Sequence, residues 1–220
     1  FSSTRDGTSR IWIKQLQGGG EAPLTGGEDR YPRFSPDGSS VLFIRLEGDS
    51  RAAYRIALVG GEPRKLGESV YQADWLPDGQ RIAFYSDRSG NYEVWTVARE
   101  GGDLRQHTRD PRRRNARHPT WSPDGSRIFF SRTGTTGEII AAEREVDAPP
   151  LLTLPPYVDP AYSFAGVDWS PDAGRIAGTL VSGSGERVGI AVYDLGLGRF
   201  TQLTDFGMFP KWMSDSRRLV

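Results

Sequence analysis

Cysteine is absent from the chain. That excludes disulfides, thiolate zinc sites and thiol catalysis, and it suits any compartment, including one outside the cytoplasm. Histidine occurs only twice, as His107 and His118, and the pair lacks metal-ligand spacing. Net charge is missing too. Lys and Arg number 28 and Asp and Glu number 28, so nothing global favours nucleic acid or an anionic membrane. No apolar run approaches the roughly 20 residues that a membrane-spanning helix needs. The Gly-x-Ser-x-Gly elbow, the phosphate loop and the kinase signatures are all lacking, and Ser184 sits in a small-residue turn, Ser182-Gly-Ser-Gly-Glu186. The expectation is a chain without a catalytic site, metal or cofactor of its own.

What the chain has is a repeat. A bulky aromatic is followed by a Ser-Pro-Asp-Gly-type turn and then by a short apolar run. The copies read Phe34-Ser-Pro-Asp-Gly, Trp75-Leu-Pro-Asp-Gly, Trp121-Ser-Pro-Asp-Gly, Trp169-Ser-Pro-Asp-Ala-Gly and a decayed Trp212-Met-Ser-Asp-Ser. Their aspartates, Asp37, Asp78, Asp124, Asp172 and Asp215, are spaced by 41, 46, 48 and 43 residues. A period in the forties fixes an architecture before any local reading does.

Within one copy, Pro pre-sets the backbone for a tight turn, Asp hydrogen-bonds its own backbone, and Gly accepts the left-handed conformation. Such a turn joins antiparallel strands. The apolar runs after it, Val41–Ile44, Ile82–Tyr85, Ile128–Phe130, Ile176–Ala177 and Leu219–Val220, are too short for helices and read as buried strands. A polar turn, a third strand such as Tyr92–Val97, a Gly-Gly-type turn and a short outer strand such as Leu104–Thr108 complete each unit. Thr133–Gly137 is expected to be one of the polar turns. Four antiparallel strands in about forty residues make one propeller blade, so the fold class is all-β and the architecture a β-propeller. The units fall at approximately 1–25, 29–67, 71–108, 117–154, 164–204 and 209–220, four whole and two complementary partial ones. Either the ends pair to close a five-bladed ring, or the chain is an excerpt of a longer array. The mid-strand position of both ends favours the excerpt. The recurring aromatics Phe34, Trp75, Trp121, Trp169 and Trp212 are assigned to packing between blades.

Strand alternation places all links from an outer strand to the next inner strand on one face. Two of these links are long, Arg109–His118 and Pro155–Phe164, and insertions confined to one face of a repeat protein often mark its binding face. The first carries Arg109, Arg112, Arg113, Arg114, Arg117 and His118, suited to a carboxylate, a phosphate or an acidic peptide; a merely solvated loop is the alternative. His107, by contrast, reads as a partly exposed strand residue. The second link carries Tyr157, Asp159, Tyr162 and Phe164, either an aromatic platform for a peptide or sugar, or a Pro-stiffened loop packed on its own blade. The residues before the anchors, Arg33, Asp74, Thr120, Asp168 and Lys211, fit positions lining a central channel. A small ligand or cation near Asp74 and Asp168 and salt bridges between blades both remain open.

The repeats resemble the WD40-like propeller repeats of the TolB type. The matching stretches are Pro32-Arg-Phe-Ser-Pro-Asp-Gly38, Trp75-Leu-Pro-Asp-Gly-Gln-Arg-Ile-Ala-Phe84, Ser86-Asp-Arg-Ser-Gly-Asn-Tyr-Glu-Val-Trp95, Gly101-Gly and Gln106-His-Thr108. The resemblance covers essentially the whole chain. It departs where Ala173 is inserted into the fourth turn and where the fifth loses Pro and Gly. It implies a module that binds a protein or peptide, as part of an envelope complex or as a sensor region of a bacterial Ser/Thr kinase. Other propellers of this type gate prolyl-oligopeptidase-type serine peptidases, and some related ones are polysaccharide lyases. Fold does not choose among these.

Overall fold

The computed structural model describes residues 1–132 and 137–220, and its regular elements among them are all β-strands. Of the turn expected at 133–137, only Gly137 lies within the described residues. The first sheet is three-stranded, β1 (Ser2–Ser3), β2 (Arg10–Lys14) and β3 (Glu21–Pro23). The second runs β4 (Asp29–Phe34), β5 (Ser40–Glu47), β6 (Ser50–Ala57) and β7 (Arg64–Glu68). The third is β8 (Gln72–Trp75), β9 (Arg81–Ser86), β10 (Glu93–Ala98) and β11 (Arg105–Gln106). The fourth is β12 (Ala116–Trp121), β13 (Arg127–Arg132), β14 (Glu138–Ala141) and β15 (Leu152–Thr153). The fifth is β16 (Tyr162–Trp169), β17 (Arg175–Ser182), β18 (Arg187–Asp194) and β19 (Arg199–Thr204). Each is an antiparallel meander whose spatial order is its chain order, the blade expected from the repeat. A last bridge pairs Trp212 with Leu219. Among the described residues, strand pairing does not join it to the first sheet.

The turn chemistry follows from the motif. In the fourth sheet the Gly125 N–H donates to the Ser122 carbonyl at 2.8 Å, and the Ser126 N–H donates to Asp124 Oδ1 at 3.1 Å. Gly125 takes the left-handed conformation at φ 71°. A Cβ there would also approach the Leu76 side chain of the preceding turn to 3.1 Å, so glycine meets two demands at once. The Ser122 hydroxyl donates to Asp124, and with the Ser126 N–H and hydroxyl it holds the Asp124 carboxyl down to about 2.

The fourth Asp turn, between β16 and β17, corrects the sequence reading. Ala173 is not inserted. It occupies the left-handed position itself, at φ 59°, with its N–H on the Ser170 carbonyl. Gly174 then donates to Asp172 Oδ1 in the role of Ser126. The fifth turn does the same with Ser216 at φ 54°. Backbone geometry survives the loss of Pro and Gly because the Asp side chain still receives the N–H two residues on.

Blades hold one another through the anchors. Trp75, Trp121 and Trp169 are 5–7% exposed. The Trp75 indole N–H reaches the Arg33 carbonyl of the preceding innermost strand, and Trp169 reaches that of Thr120 at 3.3 Å. Arg127 stacks on Trp169 and Arg175 on Trp212, each arginine lying one blade earlier than its ring. Phe34 breaks the pattern, being 62% exposed rather than interior. The reason is topological. An anchor packs against the innermost strand of the blade before it, and the three-stranded first sheet has none.

Outer strands end in a recurrent threonine for a physical reason. The hydroxyls of Thr25, Thr108 and Thr204 accept the N–H of Ile11, Val94 and Ile190, satisfying third-strand donors at or just past the end of the outer ladder.

Candidate functional site

The link after the third blade is pinned at both ends. Asp110 is buried, its N–H donates to Glu93 Oε1 at 2.9 Å, and its carboxylate accepts Arg114 at 2.8 Å and Arg132 at 3.1 Å. Burial pushes the Asp110 carboxyl up, and the Arg112 N–H with the Arg114 and Arg132 guanidinium groups more than offsets it, leaving the value lowered. At the other end the Ala116 N–H joins the Tyr92 carbonyl at 2.7 Å. Residues 111–115 loop out between these points, with Arg113 at φ 56° donating to the Gly90 carbonyl. Arg114 is therefore a structural partner of a buried carboxylate, and Arg117 lies over Tyr92 at 4.6 Å. The exposed Arg112 and Arg109 side chains point into a cleft of about 570 Å³.

His118 has φ 53°, lies edge-on to Tyr85 at 5.7 Å, and buries an Nδ1 without a hydrogen-bond partner. Burial, then Arg117 and Arg187, lowers it to about 4. The ring is neutral at pH 7. His107 is buried, 6% exposed, which corrects the expectation of a partly exposed residue. Its Nε2 sits 2.9 Å from Thr96 Oγ1, and its ring lines a small cleft of about 240 Å³ together with Trp121.

The second long link lines a separate, mostly apolar cleft of about 460 Å³ with Leu154, Pro156, Tyr157, Pro160, Tyr162 and Val181. Tyr157 is buried, its ring edge-on to Phe200 at 5.3 Å, so it anchors the link while one edge faces the cleft. Tyr162 is half-buried. Asp159 is exposed and makes the turn, accepting the Ala161 N–H at 2.9 Å. Val181–Gly183, which also line this cleft, open the β17–β18 loop, so the link and that loop share one face.

On the innermost strands, Lys211 donates to Asp168 Oδ1 at 2.7 Å and the Trp212 N–H to Asp168 Oδ2 at 2.7 Å, joining the last two units. Burial raises the Asp168 carboxyl, Lys211 and the Trp212 N–H oppose this, and Asp74 adds a repulsion that brings these two carboxylates into one field. Asp74 accepts its neighbour's N–H at Trp75, the Arg33 guanidinium donates to the Pro32 carbonyl, and Thr120 is buried.

A family model described as the TolB beta propeller domain matches residues 1–160. The chain belongs to the TolB beta-propeller family. Among curated relatives, this TolB-type propeller is 44% identical over 81 residues to an uncharacterized peptidase, YuxL, of Bacillus subtilis, a match covering 34% of the chain and 12% of the relative. It is 26% identical over 164 residues to an uncharacterized protein, Atu1656, of Agrobacterium fabrum, covering 73% of the chain and 50% of the relative. Among solved structures it is similar to TolB from Acinetobacter baumannii, with a TM-score of 0.68 at 18% identity over 92% of the chain and 51% of that protein. It is also similar to puromycin hydrolase, with a TM-score of 0.61 at 18% identity over 84% of the chain and 30% of that protein. The propeller thus spans half or less of the length of the curated relatives it matches.

Three features of the propeller escape the sequence reading. An arginine lies over the aromatic pair of several blades: Arg5 on Phe1 and Trp12, Arg45 on Phe43 and Tyr54, Arg88 on Phe84 and Trp95. In the fourth blade Arg132 covers Phe130, and Glu138 replaces the second ring. The arginines sit two or four residues after the aromatic, so no fixed spacing advertises them. The connection 142–151 is also long and lines the arginine cleft through Arg144 and Val146–Pro150. The link at 205–210 carries exposed Phe206, Met208 and Phe209, with Arg187 over Phe209 at 4.7 Å. A cluster of large apolar residues in a short link was the available signal.

Proposed function

We propose that this propeller is a non-catalytic binding module that presents its link-bearing face to a protein or peptide partner. What supports the reading is that both long links line clefts, one charged and one apolar, on scaffold that is itself rigidly hydrogen-bonded. Clefts of a few hundred Å³ that combine apolar walls with fixed polar groups suit side chains of a bound segment. The similarity to TolB, at an identity that speaks for the fold alone, is compatible with this role. A displayed random-peptide library, selected against the chain, tests it. Selected peptides are expected to lose binding on Tyr162→Ala or on Val158→Asp, an exposed residue of the second link, and to keep it when Ser39 and Ser126, in the opposite turns, are changed to cysteine and labelled with a bulky thiol reagent. Peptides that map to the opposite turns, or a selection without binders, sink the reading.

A second reading is favoured by the YuxL match. In it the propeller is the accessory domain of a serine peptidase. Sequence adjoining the chain that carries a nucleophile elbow followed by Asp and His would decide for it.

A further inference from the structure

The cleft between the link 109–118 and the connection 142–151 holds more cationic charge than its own carboxylates neutralise. Five arginines line it, Arg109, Arg112, Arg114, Arg132 and Arg144, against Asp110, Glu138 and Asp147. Two of these carboxylates are engaged. Asp110 takes Arg114 and Arg132, and Glu138 holds Arg132 through two hydrogen bonds at 2.8 and 2.9 Å. Arg109, Arg112 and Arg144 have no carboxylate within salt-bridge distance among the described residues, and neither does Asp147 have a cation. Arg144 is half-buried and, among the described residues, donates only to the carbonyls of Glu145 and Val146. Burial, the largest influence on it, weakens its hold on its proton, Arg132 adds to this, and the fields of Glu138 and Asp147 oppose it without offsetting it.

This excess is local in a chain whose charges cancel overall. We propose that the cleft takes an acidic segment of a polypeptide partner, with Arg109, Arg112 and Arg144 receiving its carboxylates. The inference rests on the partner-binding reading above and names the chemistry of the partner. Planar guanidinium groups pair with carboxylates through two parallel hydrogen bonds. The volume of about 570 Å³ exceeds what one oxyanion fills, and Val146, Ala148, Pro149 and Pro150 give it an apolar wall for a chain's backbone and stems. Arg114 and Arg132 frame the site while Asp110 and Glu138 hold them in place.

The test is fluorescence anisotropy of labelled hexaglutamate against the whole chain, with labelled hexalysine as control. Hexaglutamate is expected to bind and to weaken as salt rises. Arg109→Gln and Arg112→Gln, whose side chains make no hydrogen bond or ion pair among the described residues, are each expected to weaken it about tenfold, the loss of one charge-assisted contact. Arg144→Gln is expected to do the same, and the other two carry the result if it disturbs its connection. Hexalysine binding equally well, or affinity indifferent to all three substitutions, overturns the proposal. So does displacement by inorganic tripolyphosphate at lower concentration than by unlabelled hexaglutamate, which assigns the cleft to phosphate. Library peptides that hold the link-bearing face equally well on the Arg109→Gln, Arg112→Gln double variant overturn it too, while the partner-binding reading stands.

Discussion

His107 shows how one buried side chain writes a pH dependence into the fold. Its ring is lowered to about 4 by burial first and then by Arg81, Arg105 and Arg144. Arg81 donates to Thr96 Oγ1 through Nη2 at 2.9 Å, which leaves the Thr96 hydroxyl proton for His107 Nε2 and favours the neutral ring. The unfolded value is near 6.5, so on acidification the unfolded chain takes up this proton first. Stability that is full above pH 6.5 is therefore lost progressively toward pH 4. The loss expected from a shift of this size is up to about 3 kcal/mol. His118, lowered in the same direction, adds to it. The expected outcome is that His107→Leu flattens the fall in urea-unfolding free energy between pH 6.5 and 4 relative to the parent chain. An unchanged slope would mean that the ring is charged, or not shielded, in the folded state. The substitution removes the acceptor of the Thr96 hydroxyl, so a uniform loss of about 1 kcal/mol is expected at all pH values.

At the scale of the turn, the last two Asp turns carry a strain that the first three avoid by placing Gly38, Gly79 and Gly125 at the same position. Ala173 sits in the left-handed region, where a Cβ costs an L-residue roughly 1–2 kcal/mol, and glycine removes that cost while adding some freedom to the unfolded chain. Ala173→Gly is expected to stabilise the chain by about 1 kcal/mol, a rise of roughly 2–4 °C in melting temperature at this length. A neutral or destabilising result would show that the Ala173 methyl packs favourably enough to outweigh its backbone. The turn also marks where sequence was readable and where it was not. Asp124, Asp172 and Asp215 announce the strand reversals because one carboxylate catches the backbone two residues later, a local device that spacing alone reveals. Trp75 and Trp169 were readable as blade contacts for the same reason of recurrence. Phe34 was misread because its environment depends on a strand from another unit, and the insertion at Ala173 was misread because a letter count cannot tell a substitution from an added residue. The long links were visible as links. That Asp110 engages Arg114, or that the connection 142–151 comes back to meet the arginines, is tertiary information with no periodic trace.

For the molecule as a whole, stability in a chain of stacked units is a sum of unit and neighbour contributions. The third and fourth sheets are flanked on both sides. The Trp75 indole hydrogen-bonds back to the second sheet, Trp121 packs with Leu76, Ala83 and Val94 of the third, and Trp169 reaches onto the fourth from the fifth. The first sheet has three strands, one of only two residues, and leaves the aromatic of its neighbour exposed. Residues 209–220 contribute a single bridge, tied to the fifth sheet through Asp168, Lys211 and the stack of Arg175 on Trp212. Backbone amide exchange followed by mass spectrometry should therefore show a gradient: slowest in strands β8–β10 and β12–β14, fastest in 1–25 and 209–220. Removing the tie with Lys211→Met should speed exchange in 209–220 and, through the uncovered Trp212 contact, in β17, while leaving β9 and β10 unchanged. If all five sheets instead exchange at one rate, the units open together, and the nearest-neighbour account of how the blades support one another fails.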